Sequence, residues 1–111
     1  MCGICGYLSR EGPATGEAVR AMAGTLAHRG PDGEGSHVDG AMALGHRRLS
    51  IIDLSDAARE PMSNEDGSLW LVFNGEIYNF REIRRGLESR HRFRSRSDGE
   101  VILHRYEEKG D

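Results

Sequence analysis

The stretch SHVDGAMALGHRRLSIIDL, residues 36–54, decides the fold. Asp39-Gly40 lies between Ser36–Val38 and Ala41–His46, the pattern of a tight hairpin, because such turns ask for residues that tolerate positive φ. Leu49–Leu54 continues as a further apolar strand. Working outward to the N-terminus, Gly3–Leu8 reads as a short apolar strand that holds the terminus in place. Between the two, Thr15 is suited to cap a helix whose Val19, Met22 and Leu26 follow helical spacing, with Gly30-Pro31 as its stop. Toward the C-terminus, Ser55–Gly67, with Pro61, Asn64 and Asp66, reads as loop. Leu69–Phe73 reads as a strand, Asn74-Gly75 as a turn and Glu76–Tyr78 as the returning strand. Asn79 and Glu82 match a capping box for a helix carrying Phe80, Ile83 and Leu87 on one side. Asp98 reads as the cap of a last helix through Val101, Ile102 and Tyr106, closed by Gly110. Strands and helices intermix, which predicts an α+β fold.

Composition narrows the function. The 111 residues give room for one domain or part of one, not for a two-domain enzyme. Fifteen basic against eighteen acidic residues leave a net charge of -3, which does not call for nucleic acid as a partner. Apolar residues make up 37% of the chain, enough for a core, although a chain this small buries only roughly 60% of its surface and is marginal in stability. No apolar run reaches the length of a membrane span and the N-terminus lacks the segments of a secretory signal, so the cytoplasm is the expected compartment. Cys2 and Cys5 are too few for a disulfide framework and are expected to be reduced. The chain stops right after its last helix, so it reads as part of a larger domain.

Chemistry is concentrated in a few places. Loss of Met1 would put a thiol and a free α-amine on one residue, Cys2. With a reference pKa of about 7.7 to 8.0, that amine is able to accept the thiol proton near neutral pH. Taken alone, position two is weak evidence for a nucleophile. The spacing of Cys2 and Cys5 matches redox pairs and zinc half-sites, but in a strand their side chains face opposite ways. The five histidines, His28, His37, His46, His91 and His104, show no close H-x-x-x-H pairing, so no metal is expected and Cys5 reads as a packing residue. Asn74-Gly75 supplies an amide and a backbone N–H that would serve an oxyanion if the turn abuts Cys2. Arg48 suits a bidentate carboxylate contact, and Asp98 near it would accept an ammonium group, so the two together match an amino-acid zwitterion. His28–Gly33 (HRGPDG) reads as a helix stop and tight loop, with a mobile lid as the alternative. The arginines between 81 and 96 are interrupted by Glu82 and Glu88, with Asp98 and Glu100 following, and fit a charged helix face better than a nucleic-acid interface.

Five ordered blocks, Met1–Gly6 (MCGICG), His28–Gly33 (HRGPDG), Leu44–Asp53 (LGHRRLSIID), Asn74–Asn79 (NGEIYN) and Ser97–Leu103 (SDGEVIL), span nearly the whole chain. On these the sequence resembles the N-terminal glutaminase domain of glutamine-hydrolysing asparagine synthetases, a class II glutamine amidotransferase of the N-terminal-nucleophile type. The resemblance implies a four-layer αββα sandwich, of which residues 1–111 would be the N-terminal part, with the synthetase domain absent. It implies that Cys2 attacks the glutamine side-chain amide and that Asn74 and Gly75 form the oxyanion hole. Arg48 would hold the α-carboxylate, Asp98 and Glu76 the α-ammonium group, and Leu49, Ser50, Ile51 and Ile52 would line the pocket. No cofactor is expected in this chain; ATP and magnesium would belong to a covalently linked synthetase domain. Glutamine is the expected partner, a homodimer is possible by the same resemblance, and no membrane or nucleic acid is expected. Glu60, where the family tends to have glutamine, and Gly99, where a larger residue is common, are departures expected to lie outside the chemistry. Rival readings are a glucosamine-6-phosphate synthase, a phosphoribosylpyrophosphate amidotransferase, a secondary-metabolism homologue, and a non-catalytic domain of the same fold. A retained Met1 would turn the α-amine into an amide and abolish the mechanism.

Overall fold

A computed structural model describes residues 2–49 and 56–110. Strand β1 (Gly3–Leu8), helix α1 (Gly16–Gly24), β2 (Gly33–Asp39) and β3 (Met42–Arg48) make the first half. All three strands are antiparallel in the order β1-β3-β2, with Gly3 opposite Arg47 and Gly33 opposite Arg48. The hairpin between β2 and β3 turns at Gly40, whose φ of 57° lies where glycine is favoured. Thr15 caps α1, its side chain accepting from the Ala18 N–H at 3.2 Å. Helix α1 lies across the sheet with Val19 and Ala23 fully buried, and Val19 packs with Ala14, Ala43, Cys5 and Tyr7. The helix comes this close because residue 45 is glycine: a Cβ there would stand 2.7 Å from Cys5 Sγ and 3.1 Å from Val19 Cγ2.

The helix ends at Gly24, six residues before the expected stop, and turns carry the chain on to Gly30. Those turns bring HRGPDG back onto β3 and do not form a lid. The Asp32 N–H donates to the Arg48 carbonyl at 2.9 Å, and Arg47 Nε donates to the Gly30 carbonyl at 3.0 Å.

In the second half, β4 (Met62–Ser63) pairs with β5 (Trp70–Leu71), so the segment read as loop contains a short strand. Buried Asn64 shapes the turn, accepting from the Leu69 N–H and donating to Ser68 Oγ, both at 3.0 Å. The expected strand at Glu76–Tyr78 is not formed. Its Ile77 N–H goes instead to Asp98 Oδ2 at 2.8 Å, so Asn74-Gly75 is not a hairpin turn. Helix α2 (Phe80–Leu87) starts after Asn79 without the expected side-chain cap, and α3 (Glu100–Lys109) starts after Gly99 instead of Asp98. At the start of α2 the Phe80 N–H donates to the Ile77 carbonyl at 3.2 Å; at the start of α3 the Asp98 carboxylate is committed to Ile77 while its backbone carbonyl accepts from the Val101 N–H. Gly110 ends α3 as expected.

Buried Glu100 accepts from the Ser95 and Arg94 backbone N–H groups at 2.8 Å and meets His104 Nε2 at 3.2 Å. His104 and His91 stack at 4.8 Å, and Glu65, Glu107 and Glu108 complete an ion-paired cluster around them. Desolvation works against charge on His91, but its bonds to Glu108 and Glu65 prevail and raise its pKa. Among the described residues the architecture is thus a small mixed fold of two antiparallel sheets and three α-helices.

Candidate active site

The pairing of Gly3 with Arg47 puts Cys2 beside the end of β3. Its sulfur accepts from the Leu49 N–H at 3.3 Å and lies 3.6 Å from the Leu49 carbonyl oxygen. Arg29 Nε donates to the Cys2 carbonyl at 3.1 Å, so the terminus is held, as its apolar neighbours suggest. Both cysteines are free thiols, and burial pushes the Cys5 thiol up in pKa, as befits a packing residue.

A cavity of about 70 Å³ opens next to Cys2. Strand β3 contributes His46 and Arg48, followed by Leu49; the turn before α2 contributes Phe73, Gly75 and Glu76; the approach to α3 contributes Ser97 and Asp98; and Ala58 and Glu60 close the remaining side. Cys2, Arg48, Leu49, Gly75, Glu76 and Asp98, singled out in the sequence, therefore meet on one cavity. Asn74 is adjacent in sequence to two lining residues and is not itself among them. Ser50, Ile51 and Ile52 lie outside the described residues. A larger groove of about 560 Å³ between α2 and α3, lined by Ile83, Leu87, Val101 and Tyr106, carries no thiol.

The cavity pairs one cation with several carboxylates. Arg48 and Asp98 are both buried, as is Glu60. Burial raises the Glu60 carboxyl to about 7; the Phe73 N–H and Arg48 oppose that rise and the charge of Asp98 adds to it. His46 is lowered by burial above all, despite its contact with Phe73, so at neutral pH it is an uncharged ring. Its Nε2 lies 3.3 Å from the Phe73 carbonyl oxygen, which only accepts, so Nε2 carries the proton.

Sequence reading missed His46, Glu60, Phe73 and Ser97. Glu60 carried a signal, the acid in place of a glutamine, but it was expected to stand apart from the chemistry; its position in the cavity wall corrects that. Gly99 also bears on the site, because a Cβ there would stand 3.2 Å from Phe73 Cδ2.

Comparison with known proteins gives the family. The family described as glutamine amidotransferase domain matches residues 1–111. The chain belongs to this family. Similar relatives include a protein named asparagine synthetase [glutamine-hydrolyzing] 2 from Bacillus subtilis (strain 168), 43% identical over 99% of this chain and 15% of its own length. A protein named asparagine synthetase [glutamine-hydrolyzing] from Brassica oleracea is 43% identical over all of this chain and 19% of its own length. A second Bacillus subtilis protein, asparagine synthetase [glutamine-hydrolyzing] 1, is 40% identical over 96% of this chain and 17% of its own length. The amidotransferase domain described here thus spans less than a fifth of each. No helix among its described residues is long and apolar enough to cross a membrane.

Proposed function

We propose that this domain hydrolyses the side-chain amide of glutamine to glutamate and ammonia, and that the ammonia serves ATP-dependent amidation of aspartate in a larger polypeptide. The observation that carries the reading is the meeting of the Cys2 thiol with Arg48 and Asp98 on one small cavity. Once Met1 is removed, the α-amine of Cys2 takes the thiol proton and the thiolate adds to the amide carbon. Collapse of the tetrahedral intermediate forms a thioester and expels ammonia, which carries off the proton; water then cleaves the thioester to glutamate and restores the thiol. Asn74 and Gly75 hold the developing oxyanion. Arg48 takes the substrate carboxylate, Asp98 and Glu76 take its ammonium group, and Leu49 with Ser50, Ile51 and Ile52 lines the side-chain channel.

In this reading residues 1–111 are the N-terminal part of a type 2 amidotransferase domain, and their sheets belong to a four-layer αββα sandwich. ATP and magnesium act in the linked synthetase domain, the assembly is a cytoplasmic homodimer, and no metal or cofactor takes part in the glutaminase step. The names of the relatives favour asparagine synthesis over the glucosamine-6-phosphate and phosphoribosylpyrophosphate branches.

Intact-mass spectrometry after incubation with an electrophilic glutamine analogue tests this directly. Loss of Met1 and one label on Cys2 is expected; a Met1-free, fully unlabelled protein rejects the assignment. Arg48→Lys keeps the charge but loses the planar fork. It is expected to lower kcat/KM for glutamine by about 10 to 100-fold, mainly through KM. An unchanged KM in steady-state kinetics would take Arg48 out of the substrate site.

A further inference from the structure

The peptide group of Phe73 is gripped from two directions. Its N–H donates to Glu60 Oε1 at 2.5 Å, and the carbonyl of the same residue accepts from His46 Nε2 at 3.3 Å. The two gripping groups are themselves 3.6 Å apart, with Glu60 8% and His46 1% exposed. Both are tied to the three-stranded sheet. His46 sits on its middle strand, opposite Ile4 and Gly35. Glu60 has its backbone against Gly35 of β2, where a Cβ would collide with the Glu60 carbonyl. Phe73, by contrast, lies between the end of β5 at Leu71 and the start of α2 at Phe80, and no ladder covers residues 72–76. What fixes this stretch relative to the sheet is therefore side-chain chemistry, and the next two residues are the oxyanion donors Asn74 and Gly75.

We propose that Glu60 and His46 are positioning residues that clamp the Phe73 peptide and so set the distance of Asn74 and Gly75 from Cys2 Sγ. What the clamp positions rests on the glutaminase reading; the clamp itself does not. An acid at position 60 adds a feature that glutamine would lack. The charged and titratable groups facing it are Cys2, His46 and Arg48 from the sheet side, Glu76 from the turn and Asp98 from the approach to α3. Glu60 is protonated below about pH 7 and ionised above it. Ionisation adds a second negative charge beside Asp98 on the cavity where the oxyanion would form; Arg48 offsets it only in part, since its charge is shared with Asp98, and the neutral ring of His46 does not offset it. Turnover is therefore opposed as Glu60 ionises.

The test compares Glu60→Gln, whose amide oxygen still accepts from Phe73, with Glu60→Ala, which has no acceptor. Glutamine turnover is followed from pH 6 to 8, and hydrogen exchange of residues 72–76 is read in parallel. E60A is expected to lose about 10²-fold in kcat with KM little changed, and to exchange faster at residues 72–76. E60Q is expected to recover most of that loss, and its kcat relative to the parent protein is expected to rise at least about threefold between pH 6 and 8. Native kcat and exchange in E60A would overturn the proposal, as would an E60Q as impaired as E60A or a ratio independent of pH. If E60A does not fold, the E60Q ratio and its exchange decide. If the parent protein does not hydrolyse glutamine, the glutaminase reading fails, and the exchange data alone decide the clamp.

Discussion

Cys2→Ala is expected to abolish release of glutamate from glutamine, with kcat falling by about 10⁴-fold or more, because no other side chain on the cavity is a nucleophile of comparable strength. Glutamine binding should survive. Arg48 and Asp98, to which we assign the two ends of the zwitterion, are untouched, and removal of a partly buried sulfur on a cavity wall costs little packing. Parallel glutaminase assays and glutamine titrations therefore separate the two roles. A variant that binds but does not turn over fits a nucleophile. One that turns over at more than a few per cent of the parent rate would remove Cys2 from the mechanism.

The second large effect concerns a residue with no side chain. A Cβ at Gly30 would run into the backbone carbonyl of Arg47 and come within 2.6 Å of the Arg48 nitrogen. Backbone cannot swing aside as a flexible side chain does, so Gly30→Ala is expected to cost about 3 kcal/mol or more. That is a large part of the stability of a small domain. A urea titration should show a marked fall in the unfolding midpoint. The damage is directed as well as general, because the displaced strand end carries Arg48 and leads to Leu49, whose N–H holds Cys2 Sγ. Unchanged stability in G30A would mean that HRGPDG does not lie on β3 as described.

What the sequence revealed depended on how local each signal was. Gly3–Leu8, the Asp39-Gly40 hairpin and the Thr15 cap are stated by neighbours a few residues apart, and all three form at or near the expected bounds. Asn74-Gly75 and Asp98 misled for one shared reason. A turn dipeptide and a helix-capping acid are each the local use of a chemistry that long-range contacts can claim, and here Asp98 claims the Ile77 N–H across 21 residues. Glu60 and His46 were harder still. Nothing local links a charged residue before a proline to a histidine in a strand, and both meet at the peptide of Phe73, which comes from another part of the chain. That Arg48 and Asp98 were singled out together rests on their opposite charges, which would match an amino-acid zwitterion, a reading that does not depend on knowing the fold; the structure brings the two onto one cavity.

The anchoring of Cys2 also dictates a timetable. Its carbonyl is held by Arg29, its sulfur by Leu49, and from Gly3 onward the chain is zipped to β3. An aminopeptidase that trims Met1 has to draw the leading residues into its own cleft, which a zipped strand does not permit. On the glutaminase reading, trimming must therefore precede closure of β1, while the chain is still emerging from the ribosome or only loosely collapsed. By that reading a molecule that closes first would be trapped with its amine capped, and the fraction of competent molecules would be set by a race between processing and folding.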